Sequence, residues 1–229
     1  MMRLEQVEHV MRSYDFYVFD CDGVILRSNQ IKSDAFASAL QGEPEQLVAE
    51  FVEYHKANGG VSRYQKFAHY YNHMRADQSS DTDTTILTQQ AIDRYATIVR
   101  DALSSCEMIS GVLAFIQKLH AQGLPCAVNS GGDELELHHV FHVRGLDQYF
   151  EHIFGSPSTK HNNMERLKSA GFMKGSGVMF GDSQSDFVAA QSFALDFVYV
   201  QEESEWKDGA AVSAAHGYQI VPNFRSFSL

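Results

Sequence analysis

From Ser110 onward the chain alternates short apolar runs with helix-length amphipathic segments, and this alternation constrains the fold more than any other feature of the sequence. The order is helix VLAFIQKLHAQG, strand LPCAVN, turn SGG, helix DELELHHVFHV, strand YFEHIFG, a polar loop, helix NMERLKSAG, strand GVMFG, helix SDFVAAQSFA and strand DFVYV. Strands separated by helices of this length form βαβ units and therefore a parallel sheet. One more strand comes first: Tyr14 to Phe19, YDFYVF, is rich in aromatic and β-branched residues and is cut off by the turn DCDG at Asp20 to Gly23. The expectation is an α/β protein with a Rossmann-like parallel-sheet core.

Between the first strand and Ser110 the pattern changes. The segments SDAFASAL, EQLVAEFVEYHKA, RYQKFAHYYNHM and LTQQAIDRYATIVRDAL carry apolar residues at three- and four-residue spacing, with no strand-like run between them. The breaks fall at Gly42 to Pro44, Asn58 to Gly60 and Ser79 to Thr85. A length of 229 residues suits one full core plus a smaller insertion. The expected division is a discontinuous core of residues 1–27 and 106–229, interrupted by a helical insertion at 28–105.

The charge balance narrows the partners. Eighteen Lys and Arg against 29 Asp and Glu give a net charge of −11, which disfavours a phosphate backbone as ligand, so nucleic acid is not expected. The three cysteines, Cys21, Cys106 and Cys126, form no CxxC pair and suit packing in a reducing compartment. No apolar run approaches a membrane span, and MMRLEQVEHVMRSYD lacks the apolar stretch of an export signal. A cytoplasmic monomer with no membrane partner is the expectation.

In doubly wound sheets ligands gather at the carboxyl ends of the strands. The first strand delivers Asp20 and Asp22 there, the next Asn129 and Ser130, a loop after the third Lys160, and the GVMFG strand Asp182 with Asp186. Four carboxylates at one sheet edge repel each other unless a cation sits among them, and carboxylate oxygens suit Mg²⁺. Magnesium held by a few carboxylates leaves a position for a phosphate oxygen, which points to phosphoryl transfer on a phosphorylated small molecule. Lys160 and the Ser130 hydroxyl are then natural clamps for the transferred group.

The motifs DCDGVI, VNS, the lysine of STK and GDSQSD, in this order, resemble the four motifs of the haloacid dehalogenase-like hydrolase superfamily, and the resemblance covers essentially the whole chain. A helical insertion directly after the first motif is similar to the α-helical cap of its phosphatases and β-phosphoglucomutases. The resemblance implies Asp20 as the nucleophile that becomes an aspartyl phosphate, and Asp22 as the acid that protonates the leaving alcohol and then activates water. It implies Ser130, Asn129 and Lys160 as phosphate-binding residues, and Asp20, Asp22, Asp182 and Asp186 as the Mg²⁺ site, with Asp22 contributing through its backbone carbonyl and Asp186 either ligating or supporting Lys160. Dehalogenases of this superfamily lack the second carboxylate, so Asp22 favours phosphate-ester chemistry.

Gly59 to Phe67, GGVSRYQKF, is similar to the cap loop of β-phosphoglucomutases, which makes Arg63 and Ser62 candidate substrate contacts; the alternative is that Ser62 caps helix RYQKFAHYY with Arg63 in solvent. Lys32 stands where those mutases carry a histidine, and Gly181 where they carry a glutamate. The implied function is a Mg²⁺-dependent phosphomonoester hydrolase for a small phosphorylated metabolite, such as a sugar phosphate. The alternatives are a phosphosugar mutase and a binding or regulatory member without catalysis. His138, His139 and His142 read as a helix surface, and Tyr64, Phe67, Tyr70 and Tyr71 as packing within the insertion.

Overall fold

A computed structural model of the chain describes residues 9–10, 13–75 and 83–228. The strands are β1 (His9–Val10), β2 (Phe16–Phe19), β3 (Cys126–Asp133), β4 (His152–Ser156), β5 (Gly177–Gly181), β6 (Asp196–Val200), β7 (Gln219–Val221) and β8 (Phe227–Ser228). The helices are α1 (Asn29–Ala39), α2 (Glu45–Ala57), α3 (Arg63–His69), α4 (Thr84–Ser105), α5 (Val112–Ala121), α6 (Glu134–Val143), α7 (Lys160–Ser169), α8 (Gln184–Ser192) and α9 (Gly209–Ala215). Six strands form one parallel sheet in the order β4-β3-β2-β5-β6-β7, and β1 pairs with β8 in a separate two-stranded ribbon.

Strand β2 lies in the middle of the sheet, and all four of its residues are buried, as a strand covered on both faces requires. Its side chains alternate between two cores. Tyr17 and Phe19 face the cluster that includes Phe115 of α5 and Phe180 of β5, whereas Phe16 and Val18 face Met164 and Leu167 of α7. Phe19 stacks on Phe180 with ring centroids 4.9 Å apart. Gly177 is bare because the Phe16 ring occupies the place of its side chain: a Cβ there would stand 2.1 Å from the ring.

The four expected strands after Ser110 are present, with two differences. The SGG segment, expected as a turn, continues β3 to Asp133, and the ladder with β4 becomes irregular between Asn129 and Asp133. A sixth strand, β7, closes the far edge; three residues, QIV, are too few to show a period.

Helices α1 to α4 occupy the chain between β2 and β3, and a π-turn at Tyr70–Met74 extends α3. The residues of α4 that are buried, Ala91, Ile92, Tyr95, Val99 and Leu103, recur every three or four positions and define one face. That face meets Phe36 of α1, whose ring lies 4.4 Å from Tyr95 and 5.2 Å from Phe67. Phe67, Tyr70 and Tyr71 are buried, while Tyr64 donates its hydroxyl to Asp133 Oδ2 at 2.6 Å. One continuous apolar cluster runs from Tyr17 and Phe19 under the sheet to Phe51 and Tyr95 among these helices. Phe51→Ala is therefore expected to lower stability by about 3–5 kcal/mol, the range for deleting a buried aromatic ring. Chemical denaturation followed at once by far- and near-ultraviolet dichroism checks this, with a single transition expected for both signals.

Candidate active site

The carboxyl ends of β2, β3 and β5 are neighbours in the sheet, so the segments that leave them converge. Asp20 comes directly after β2 and is buried; its Oδ1 accepts from the Cys21 N–H at 2.7 Å, and its Oδ2 lies 2.8 Å from Lys160 Nζ. The chain then turns back through Gly23 at φ +72°, where a Cβ would stand 2.1 Å from Asp182 Oδ2. Only glycine meets both demands. The Asp22 carboxylate faces the other way: Oδ1 accepts from Ser28 Oγ at 2.6 Å and Oδ2 from Lys32 Nζ at 2.5 Å.

Asp182 leaves β5 through Gly181, whose missing side chain makes room for Asp186. Asp182 Oδ2 accepts from Asn29 Nδ2 at 2.7 Å. Asp186 opens helix α8: its Oδ2 accepts from the Ser183 N–H at 3.1 Å and from Ser183 Oγ at 2.6 Å, in a reciprocal capping box, and its Oδ1 accepts from Lys160 Nζ. Lys160, the first residue of α7, thus stands between Asp20 and Asp186.

Oxygens of Asp20, Asp182 and Asp186 lie within 4.8 Å of one another, and all three residues are buried. Burial, then repulsion from Asp186, pushes the Asp20 carboxyl up to about 7 despite Lys160. Burial, then repulsion from Asp20 and Asp186, holds the Asp182 carboxyl well above the usual carboxylate range. Burial also works to raise Asp22, but the Lys32 ammonium and the hydrogen bonds from Lys32 and Ser28 outweigh it and keep that carboxyl below the usual range. Lys160 is raised above an ordinary lysine, because Asp186 and Asp20 overcome its burial. Three hard oxygen donors at this spacing, in surroundings that penalise their uncompensated charge, fit a Mg²⁺ ion. The Asp22 side chain stands outside that set because Lys32 and Ser28 hold it.

Ser130 is fully buried within β3, and its Oγ accepts from the Gly132 N–H at 3.0 Å. Asn129 Nδ2 donates to the Lys160 carbonyl at 3.0 Å, at the start of α7, while its buried Oδ1 has no partner among the described residues. Ser62 is the N-cap of α3, accepting from the Gln65 N–H. Arg63 is buried, not in solvent; it forks onto Glu136 of α6 at 3.1 and 2.6 Å, with its guanidinium 4.6 Å above the Tyr95 ring. The histidines His138, His139 and His142 are exposed on α6.

The loop before α3 forms a roof. Gly59 packs on Ser183, and Gly60 lies so close to Gly131, Ser185 and Lys160 that a Cβ at 60 would stand 2.0 Å from Ser185 Oγ. Beneath it lies a cavity of about 70 Å³, lined by Asp20, Asp22 and Asp182 from below and by Lys32, Arg63 and Lys66 from above. Several residues that matter here carry no sequence signal. Asn29 and Ser28 act on carboxylates met only after the chain folds back, and Glu136 lies 73 positions from its partner Arg63.

Among the described residues no helix is long and apolar enough to cross a membrane. No curated protein matches the chain. Solved structures of similar fold include a predicted phosphoglycolate phosphatase from Haemophilus somnus 129pt, with 18% identity, TM-score 0.72 and coverage of 93% of this chain and 96% of that one. They also include β-phosphoglucomutase from Clostridium difficile, with 15% identity, TM-score 0.68 and coverage of 95% and 94%. A third is CbbY from Rhodobacter sphaeroides in complex with phosphate, with 14% identity, TM-score 0.67 and coverage of 93% and 95%. The model of the haloacid dehalogenase-like hydrolases matches residues 17–200, which takes in β2, the four inserted helices and every carboxylate of the cluster. The chain belongs to the haloacid dehalogenase-like hydrolases.

Proposed function

We propose that this protein is a Mg²⁺-dependent phosphomonoester hydrolase that cleaves a small phosphorylated metabolite through an aspartyl phosphate on Asp20. The observation that carries this reading is the juxtaposition of the buried Asp20–Asp182–Asp186 cluster and Lys160 with a second carboxylate, Asp22, two residues from Asp20. The similar folds of a phosphoglycolate phosphatase and of a phosphate-bound CbbY support it.

When bound, Mg²⁺ neutralises the cluster and polarises a phosphoryl oxygen. Asp20 attacks phosphorus, forming an Asp20 O–P bond as the bond from phosphorus to the leaving oxygen breaks, and Asp22 gives that oxygen its proton. Water then attacks phosphorus, Asp22 takes the proton, and the Asp20 O–P bond breaks to free Asp20 and phosphate. Lys160 and Ser130 hold the phosphoryl oxygens throughout, as fixed donors in a site shielded from water. As arranged here Asp22 is ionised by Lys32, the form that accepts a proton from water. In the first step Asp22 carries a proton, which its burial and the neighbouring anionic ester favour against the Lys32 ammonium.

The division into core (1–27, 106–229) and cap (28–105) suits a movement of the cap. A cavity of about 70 Å³ is smaller than the roughly 150 Å³ that accommodates benzene, so a phosphate ester enters when α1 to α4 swing away and reacts when they return. The linkers at Arg27 to Gln30 and Ser104 to Ile109 serve as hinges. The expected contact of Arg63 with substrate requires release from Glu136, which gives the mutase alternative no support in the closed form.

Phosphate release from p-nitrophenyl phosphate and a panel of sugar phosphates, with Mg²⁺ and with chelator, tests the reading. Activity is expected with Mg²⁺ alone, and Asp20→Asn is expected to lower kcat by about three orders of magnitude or more; undiminished turnover in that variant would refute the covalent route. Because Asp20 and Asp182 must lose protons to bind metal and burial raises both carboxyls, Mg²⁺ affinity is expected to grow as pH rises through neutrality, with proton release on binding. Calorimetry in buffers of different ionisation enthalpy measures both effects.

A further inference from the structure

The cations around the cavity are not equivalent. Lys32 is paired with Asp22, Arg63 with Glu136, and Lys160 with Asp20 and Asp186; Lys56 is partly exposed, with Glu53 at 4.0 Å. Lys66 differs. Its side chain lines the same cavity and is only 2% exposed, yet among the described residues no carboxylate lies within ion-pair distance of its ammonium. Its acceptors are His55 Nδ1 at 2.7 Å and the His55 carbonyl at 3.3 Å, and its nitrogen lies 5.4 Å from the centroid of the Phe36 ring, so no anion meets its third N–H group.

His55 has a matching deficit. It lines the cavity too, is buried, and its Nε2 has no hydrogen-bond partner. With Lys66 as the ammonium, Nδ1 accepts its proton and the neutral ring carries hydrogen on Nε2, so a second donor stands unused. Burial, then the neighbouring Lys66, pushes the imidazole down to about 2, so it stays neutral and acts as a donor without adding charge.

A buried ammonium with neutral partners alone is costly unless an anion meets it. Burial, then the Lys32 ammonium, pushes Lys66 down to about 7. The charged groups facing it are Lys32 from α1, His55 and Lys56 from α2, Asp22 beyond β2, Lys160 from α7 and Glu205 beyond β6. The two carboxylates of that set are held elsewhere, Asp22 by Lys32 and Ser28, and Glu205 by Ser33 Oγ at 3.2 Å.

We infer that Lys66 and His55 form a second anion subsite in the roof of the cavity, which takes the carboxylate or second phosphate that a substrate carries at the end remote from the cleaved ester. The inference rests on the phosphatase reading above and names its substrate class: phosphate esters with a second oxyanion. Lys66 anchors the anion, Nε2 of His55 adds a neutral donor, and Phe36 and Tyr95 wall the space between the two charged ends. A neutral-tailed ester leaves both donors unmet.

Steady-state hydrolysis of three esters by the full chain tests this: 2-phosphoglycolate for a carboxylate tail, fructose 1,6-bisphosphate for a phosphate tail, and 2-hydroxyethyl phosphate for a neutral tail. The wild type is expected to favour one anion-tailed ester over hydroxyethyl phosphate by about ten- to a hundredfold in kcat/KM, mostly through KM, the factor that a charge-assisted hydrogen bond contributes. Which anion is favoured identifies the tail. Lys66→Met is expected to erase the preference and Lys66→Arg to keep most of it, and Lys66→Gln replaces Met if that variant does not fold. Equal KM values in the wild type, or a preference that survives Lys66→Met, would overturn the inference. Failure of the wild type on every ester, p-nitrophenyl phosphate included, would overturn the phosphatase reading instead. Calorimetric titration of 2-phosphoglycolate and fructose 1,6-bisphosphate into wild type and Lys66→Met then decides the subsite alone, with equal affinities for both proteins counting against it.

Discussion

Charge that must be buried to be useful is the constraint on which the rest of this structure depends. Asp20, Asp182 and Asp186 crowd one sheet edge away from solvent, and a carboxylate in that position gives up hydration that its neighbours must replace. Lys160 supplies part of the replacement, bridging Asp20 and Asp186, and backbone and side-chain donors supply more: Cys21 to Asp20, Asn29 to Asp182, Ser183 to Asp186. The glycines at 23 and 181 result from the same crowding, since at each a carboxylate of the cluster already fills the volume of a side chain.

The inserted helices are tied to the sheet by polar contacts as well as by the continuous apolar cluster. Lys32 reaches Asp22, Arg63 reaches Glu136, and Tyr64 reaches Asp133. Near the linkers Arg27 pairs with Glu202, Glu203 and Glu107, so a single guanidinium touches both connections and the loop beyond β6. Contacts of this kind are directional and exchangeable with water, unlike the apolar cluster that they flank.

The architecture was legible in the sequence because periodicity is a local property. Five of the six parallel strands and the helical insertion are readable from residue spacing, and the carboxylates of the cluster from their positions after strands. The features that escaped are non-local or depend on which atom faces which. Asn129 lies within β3, where its Nδ2 meets the Lys160 carbonyl; Arg63 lies on the roof, where it pairs with Glu136. No spacing in the sequence distinguishes a paired arginine from an available one. Lys66 and His55 are eleven residues apart on different helices, and only the turn at Asn58 to Gly60 brings them together.

The capping box at the start of α8 gives Asp186 two obligations. It contributes an oxygen to the acidic cluster and it also begins a helix, so its replacement exposes backbone donors whether or not any chemistry is wanted. Asp20 has no such second duty; its contacts are the ammonium it shares and the N–H of its own neighbour. Under drift without selection for turnover, Asp186 is retained for folding while Asp20 is free to change. Across descendants of such a chain, survival of the second aspartate of GDSQSD records a preserved helix start, whereas survival of the first aspartate of DCDG needs another cause.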